Sequence, residues 1–148
     1  MALDLEAFER IGRQLAASNR MVARKVIAPA VVADELDSAD LAEVAPLLDE
    51  FDPIPVGEWV DAGNVYLHNG VLIEIVQGHT TQQGWIDALT PSLYKRHHVD
   101  GADFRPVTRA HDVYRLGQIV TFEGALWRCA IDNMSHSPTG YPAGWEQV

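Results

Sequence analysis

Four aromatic residues near the C-terminal end of the chain have side chains of the kind that bind sugars: Tyr114, Trp127, Tyr141 and Trp145. A pyranose stacks its C–H face on a flat aromatic ring, and a few polar groups orient its hydroxyls. The four residues therefore predict a glycan-binding site. The alternative is that they form the core of a small module, which must bury its largest side chains to fold. Size favours the core for Trp145 and leaves Trp127 and Tyr141 open between the two roles.

Metal chemistry and catalysis have no recognisable arrangement in the sequence. The histidines lie in the adjacent pair His97-His98 or in separate stretches, without the short paired spacing of a zinc site. Carboxylates are plentiful, but no pair has the context of a glycosidase, and the sequence contains no nucleophile elbow and no phosphate loop. We therefore expect no catalytic residues, no metal ligands and no cofactor.

An internal repeat must position the aromatic residues. The stretch from Gly63 to Leu72 aligns with the stretch from Gly117 to Leu126, glycine on glycine and leucine on leucine, at a constant offset of 54 residues. Each copy has an apolar run, a two-residue turn ending in glycine and a second apolar run. The turns are Asn69-Gly70 and Glu123-Gly124. This pattern predicts a β-hairpin in each copy.

The tryptophan that follows each hairpin is predicted to close it. A two-stranded hairpin is not stable alone in water, so its apolar face needs a cover. Trp85 follows the first hairpin. Trp145 follows the second hairpin after a longer connecting segment, which includes residues 133–142. We expect these two indoles to be the covers.

The two copies resemble a known family of small modules. The motifs of the first copy are, in order, Asn69-Gly70, Gln77-Gly78-His79-Thr80-Thr81-Gln82, Trp85 and Thr90-Pro91-Ser92-Leu93-Tyr94. This series is similar to the chitin-binding, chitinase-C type modules that recur in phage and prophage tail proteins. Residues 114–129 and the terminal residues 144–148 look like a second, divergent module, and the resemblance covers residues 40 to 148. It implies carbohydrate-binding β modules in a virion protein that is not an enzyme. In this resemblance, His79 belongs to a Gln-x-His-Thr segment that is expected to bond the backbone of its own loop.

The sequence departs from the family pattern mainly in the first module, which has lost aromatic residues. Asn64 stands where aspartate is usual, Ile73 where tyrosine is usual, and Tyr94 where the close is usually tryptophan. The second module keeps Trp127 at the position that matches Ile73. If either module binds a glycan, the resemblance therefore favours the second.

Composition and charge exclude several classes of function. An apolar content of 47% favours a folded protein, and the net charge of −10 disfavours nucleic acid as a partner, since phosphate binding needs a basic face. The lone cysteine, Cys129, allows no intrachain disulfide and is expected to be a buried small residue.

No stretch is apolar and long enough for a membrane span, and the acidic start does not match a signal peptide. We expect synthesis in a host cytoplasm and no membrane insertion.

The first part of the chain predicts a helix suited to assembly. Between Leu5 and Val26, the apolar residues Phe8, Ile11 and Leu15 form one narrow stripe at helical spacing. Such a helix is too short to be stable alone, so it must pack on its own chain or on copies of itself. Virion proteins are commonly symmetric homo-oligomers, and we predict self-association, with a trimer as the guess from fibres. Contacts to other virion proteins are expected through the same helix.

A second helix is predicted after an extended stretch. Ile27–Val32 contains Pro29 and is expected to run extended. Asp37 to Asp40 supplies N-cap candidates for a helix that continues through Leu48. The stretch Asp52-Pro53-Ile54-Pro55 reads as a stiff linker, and residues 97–108 as a second one.

The whole sequence predicts an α+β protein in three parts. They are a helical segment for assembly, a first β module and a second β module, over residues 1–52, 57–96 and 109–148. The leading hypothesis is a non-enzymatic phage tail-tip or fibre component that binds a host-surface glycan. The alternative is a structural virion decoration or adaptor whose modules bind neighbouring proteins and no glycan. The aromatics lost from the first module favour the alternative, and those retained in the second favour glycan binding.

Overall fold

The computed structural model describes residues 23–86, 90, 92–107 and 112–148. These residues form a mixed α+β fold of two short helices and small antiparallel sheets, so the predicted fold class is confirmed at this level. The helices are α1 (Ala28–Val32) and α2 (Ser38–Val44). The strands are β1 (Trp59–Val60), β2 (Val65–His68), β3 (Val71–Ile75), β4 (His79–Thr80), β5 (Tyr94–His97), β6 (Ile119–Phe122), β7 (Ala125–Cys129) and β8 (Trp145–Gln147).

The segment around Pro29 is helical, so the expectation of an extended Ile27–Val32 is wrong. A π-helical turn over Ala23–Ile27 leads directly into α1, and Pro29 lies in the first turn of α1. Proline is tolerated there because the first N–H groups of a helix have no partner within it. The predicted helix from Leu5 to Val26 lies, up to residue 22, outside the described residues.

Helix α2 begins where the sequence predicts. Asp37 is its N-cap: the Asp37 carboxylate accepts a bond from the backbone N–H of Asp40 at 2.8 Å, and the Asp40 carboxylate accepts one from the N–H of Asp37 at 3.2 Å. This reciprocal pair satisfies two N–H groups that the helix leaves open. A 3₁₀ turn over Ala45–Leu47 then follows, with Pro46 among its first positions.

The helices cover one face of the first hairpin. Their buried side chains form one apolar cluster with Val65 of β2, Leu72 of β3 and Val99. The helical contributors are Ile27, Ala28, Val31, Leu41, Val44, Ala45 and Leu48. Because successive residues of a strand point to opposite faces, the other face of the hairpin is left for a second core.

The internal repeat is confirmed in the backbone. Strands β2 and β3 pair around Asn69-Gly70, and β6 and β7 pair around Glu123-Gly124. Both turns have positive φ at both residues, 52° and 81° in the first and 50° and 78° in the second. Two positive φ values match the right-handed twist of the strands that such a turn joins.

The hydrogen bonds that close the two hairpins also match. In the first copy, Gly63 N–H donates to the carbonyl of Ile75, and Ile75 N–H donates to the carbonyl of Asn64, both at 2.8 Å. In the second copy, Gly117, Cys129 and Gln118 make the same two bonds at the same distance. The offset of 54 residues therefore describes the structure as well as the sequence.

The third strand of each copy corrects one expectation. Ile75 pairs with Tyr94 of β5, and its counterpart Cys129 pairs with Trp145 of β8. Tyr94 is therefore the structural equivalent of Trp145, and both are buried. The expectation that Trp85 closes the first hairpin is wrong, since its indole is 42% exposed. Trp145 does cover the second hairpin, packed with Tyr114, Val120 and Cys129.

Each module also receives a phenylalanine from the segment before it. Phe51 N–H donates to the carbonyl of Leu67, and Phe104 N–H donates to the carbonyl of Thr121, both at 2.9 Å. Phe51 meets the ring of Tyr94 edge to face at 6.3 Å, and Phe104 meets Trp145 in the same way at 6.2 Å. These segments lie beside β2 and β6 in parallel orientation.

The two modules pack together through the chain that joins them. The ring of His98 stacks on Tyr114 with centroids 3.9 Å apart, and Nε2 of His98 donates to the carbonyl of Asp112 at 2.6 Å. Arg96 of β5 lies 3.8 Å from the carboxylate of Asp112, which is fully buried. This ion pair and the stacked rings both join β5 and the chain after it to the second module, and so they hold the relative position of the two modules.

Candidate functional site

The aromatic residues predicted to bind a glycan have different environments in the second module. Tyr114 and Trp145 are buried in its core, and Trp127 is half-buried against the same cluster. Tyr141 is 45% exposed. The structure thus brings three of the four together as packed side chains and leaves one ring open to solvent.

The buried members of this set are held by specific contacts. Tyr114 lies between His98 and Phe104, and its hydroxyl accepts a bond from the Arg105 N–H at 2.9 Å. Burial raises the pKa of Tyr114. The indole N–H of Trp145 donates to the carbonyl of His136 at 3.0 Å. A sugar could stack on Tyr114 or Trp145 only if these rings left the core, which would expose large apolar surfaces.

Trp59 of β1 is the most exposed aromatic side chain among the described residues, at 62%. Its indole N–H donates to the carboxylate of Asp61 at 2.8 Å, which fixes the direction of the ring. The ring lies against Gly78, where an added methyl group would be only 2.8 Å from Cζ2 of Trp59. An exposed indole that is held flat in this way costs little conformational entropy when a ligand stacks on it.

A hydroxyl clamp holds the loop that carries Trp59. The buried Thr81 accepts bonds from the N–H groups of Gly57 at 3.0 Å and Glu58 at 3.2 Å, and it donates to the carbonyl of Pro55 at 2.9 Å. The backbone of Thr81 also exchanges bonds with Gly57 and Glu58. The antiparallel pairing then continues into β1 and β4, where Trp59 lies opposite Thr80.

His79 holds the strand on which Trp59 rests. Its Nδ1 lies 2.8 Å from the carbonyl of Gln77, which can only accept, so Nδ1 carries the proton. Its Nε2 then accepts a bond from the hydroxyl of Tyr94 at 2.7 Å. The backbone bond expected for His79 is thus observed. The side chain ties β4 to the core and leaves Gly78 at the surface under Trp59.

Trp59 lies at one side of an open groove of about 840 Å³. The groove runs between the segment before the first module and strands β1 and β2, and its polar lining includes Glu50, Glu58 and Tyr66. The Tyr66 hydroxyl accepts a bond from the side-chain amide of Asn64 at 3.2 Å, so its own hydrogen is available to a ligand. An indole face, a hydroxyl donor and carboxylate acceptors are the groups that orient a bound sugar.

A second cleft, of about 480 Å³, lies between α2 and the joined modules. Its walls carry both signs of charge, with Asp37 and Asp40 on the helical side and Lys95 and Arg115 among the opposite residues. His98 also lines it, and burial lowers the pKa of His98 to about 4. This histidine is neutral at physiological pH, and its role is to stack on Tyr114.

The described part of the chain has no group of three or more histidine, cysteine, aspartate or glutamate residues arranged to hold a metal ion. No helix in that part is long and apolar enough to cross a membrane. Cys129 is buried, and its thiol donates to the carbonyl of Ile131 at 2.9 Å.

Comparison of the sequence with protein-family models and with curated proteins finds no match. The resemblance to chitin-binding tail modules therefore remains a prediction. The sequence reasoning missed Trp59 as a site residue, because it lies outside the repeated hairpins. No local sequence signal marks it, because the exposed Trp59 and the buried Val60 differ only once β1 has paired with β4.

Proposed function

We propose that this chain is a non-enzymatic carbohydrate-binding protein that stacks a sugar on Trp59, in the groove of the first module. The observation that carries the proposal is the indole itself: it is exposed, held by Asp61 and seated on Gly78 beside a groove with hydroxyl and carboxylate groups. This places the proposed site in the first module, whereas the resemblance favours the second. Tyr141 of the second module is the one residue of the predicted set that is free to add a further contact.

The biological setting of the proposal comes from the resemblance to phage and prophage tail modules. We infer a virion component, at a tail tip or fibre, that recognises a host-surface glycan. The N-terminal helical segment, residues 1–52, would join it to copies of itself and to other virion proteins. A single stacking site is weak, and repetition on a homo-oligomer would raise the apparent affinity through effective concentration.

The test is retention of the full chain on insoluble chitin and on bacterial cell walls. We expect Trp59→Ala to reduce the affinity by about tenfold, since stacking on an aromatic ring contributes about 0.5–1.5 kcal/mol beyond the buried area. Gly78→Ala should also weaken binding, because the new methyl group displaces the indole without removing it. Unfolding curves in urea check that each variant keeps its fold.

Trp85→Ala is the matched control, because Trp85 is an exposed tryptophan of the same module that does not line the groove. Its retention should equal that of the unmodified chain. Loss of binding in Trp85→Ala with full binding in Trp59→Ala would contradict the assignment of the groove.

The second candidate function is a structural virion decoration or adaptor that binds neighbouring proteins. The burial of Tyr114 and Trp145 favours it, because these aromatics are used for packing. Under this alternative no polysaccharide retains the chain, and Trp59→Ala instead weakens its incorporation into particles.

A further inference from the structure

The charges of the Trp59 groove bear on which glycan it takes. The ionisable acids that line it are Asp49, Glu50 and Glu58, and none of the described lining residues is a lysine, arginine or histidine. Asp61, which accepts the bond from the indole N–H of Trp59, adds a fourth carboxylate at the edge of that ring. The described side chains that line the groove therefore carry negative charge and no positive charge.

Two of these carboxylates are available to a ligand from separate directions. Glu50 belongs to the segment that runs beside β2, where it lies opposite Leu67, and Glu58 immediately precedes β1. Both residues are exposed, and neither has an ion-pair partner among the described residues. The backbone of Glu58 is held by the Thr81 clamp, so its side chain starts from a fixed position.

The remaining groups of the groove suit a sugar rather than a simple cation. A pyranose that stacks on Trp59 presents its ring substituents outward, toward the walls of the groove. The hydroxyl of Tyr66 can donate to a ring substituent, and the carboxylates can accept from hydroxyls or from an ammonium group. Bonds between an ammonium group and a carboxylate are roughly twice as strong as neutral ones.

We propose that the groove is selective for amino sugars with free, protonated amines, such as glucosamine, over neutral N-acetylated or anionic sugars. The inference rests on the proposed glycan binding at Trp59 and adds the charge of the ligand to it. Exposed ion pairs are individually weak, so two of them give a preference between about twofold and thirtyfold over the N-acetylated sugar. An anionic sugar is repelled by the same carboxylates.

The experiment is a calorimetric titration of the full chain at mildly acid pH and low salt. The ligands are three hexasaccharides, of glucosamine, of N-acetylglucosamine and of galacturonate. We expect the glucosamine hexamer to bind most tightly and the galacturonate hexamer not to bind. The double variant Glu50→Gln and Glu58→Gln should lose the preference for the amine, so that the glucosamine and N-acetylglucosamine hexamers bind with affinities within about twofold of each other. Glu43→Gln is the matched control, since Glu43 is an exposed acid of α2 that does not line the groove.

The outcomes separate this inference from the function on which it rests. Equal or tighter binding of the N-acetylated hexamer, lost in Trp59→Ala, would keep the glycan function and overturn the amine preference. Binding of none of the three sugars would overturn both. A lysine hexapeptide that competes with the glucosamine hexamer at equal affinity, or binding that survives Trp59→Ala unchanged, would show that the groove recognises positive charge alone, which also overturns the inference.

Discussion

Replacing Thr81 with valine tests whether the hydroxyl clamp holds the loop under Trp59. Valine has nearly the same shape as threonine but lacks the hydroxyl, so the change removes bonds without opening a cavity. The hydroxyl bonds three backbone groups, those of Pro55, Gly57 and Glu58. The carbonyl of Pro55 loses its bond from the hydroxyl outright.

The two N–H groups are partly compensated. Gly57 N–H also donates to the carbonyl of Thr81 at 2.9 Å, and Glu58 N–H has a longer alternative, the carbonyl of Pro55 at 3.4 Å. With a net contribution of about 0.5–1.5 kcal/mol per bond, one bond lost and two weakened by about half predict a destabilisation of about 1–3 kcal/mol. The measurement is the free energy of unfolding in urea, followed by tryptophan fluorescence.

Thr80→Val is the control, because Thr80 is the adjacent threonine on the same strand and its side chain is exposed. We expect its effect to stay within about 0.5 kcal/mol. The reasoning is refuted if the two variants unfold within 0.5 kcal/mol of each other, at an accuracy of about 0.3 kcal/mol. That result would mean that the backbone bonds alone hold the loop.

Three further predictions concern the repeat and the buried histidine. Leu72→Ala should lower the free energy of unfolding in urea by about 2–5 kcal/mol, whereas its repeat counterpart Leu126→Ala should lower it by less than about 1 kcal/mol, since only Leu72 is buried. Equal losses would contradict the statement that the helices cover the first hairpin and leave the second uncovered at this position. Glu123→Asn should stabilise by about 0.5–1 kcal/mol, because asparagine, as in Asn69 of the first turn, tolerates positive φ better; a lower urea midpoint would contradict it. The folded pKa of His98, about 4, lies below its unfolded value, so the unfolded state binds more protons and stability should fall by up to about 3 kcal/mol as pH drops from 7 to 4. His98→Phe should reduce the dependence of stability on pH, measured as the urea midpoint between pH 7 and pH 4. If the dependence is unchanged in this variant, it comes from groups other than His98.

The parts of the fold that the sequence predicted are those that local chemistry determines. A glycine-ended turn between two apolar runs specifies a hairpin, and the Asp37 to Asp40 spacing specifies a helix start. Pro29 misled the prediction because proline has two readings: it breaks the interior of a helix but is compatible with the first turn. The π-helical turn over Ala23–Ile27, which brings the chain to Pro29 already helical, leaves no mark in the local sequence.

The closing strand could not be predicted from spacing because it depends on long-range pairing. Trp85 follows the first hairpin more closely than Tyr94 does, and tryptophan matches tryptophan in a comparison with Trp145. The ladder instead places Tyr94 opposite Ile75, and His79 bonds its hydroxyl. The pairing makes tyrosine the right residue here, since it fills the core and also satisfies a buried histidine.

Residue type alone could not separate binding aromatics from core aromatics. Tyr114 and Trp145 have the chemistry of a sugar platform, but a small sheet has few residues with which to fill its core, and it uses these. Trp59 is open because its strand is two residues long and Val60 takes the inward position. The exposure of a ring is decided by its neighbours across the sheet, and the sequence does not state which neighbours those are.

The difference between the two copies of the repeat bears on how the chain would assemble. Leu72 is 0% exposed beneath the helical segment, and its counterpart Leu126 is 43% exposed, although the backbones around them match. Most apolar side chains of α1 and α2, Val31 and Leu41 among them, are buried in covering the first hairpin, whereas Val32 at the end of α1 is 38% exposed. Residues 27–48 are thus part of the first module rather than an arm beside it. If the chain self-associates through its N-terminal segment, the contact comes either from residues before α1 or from the exposed side of the helices, which carries Val32. Substitutions on that exposed side distinguish the two by their effect on oligomer mass.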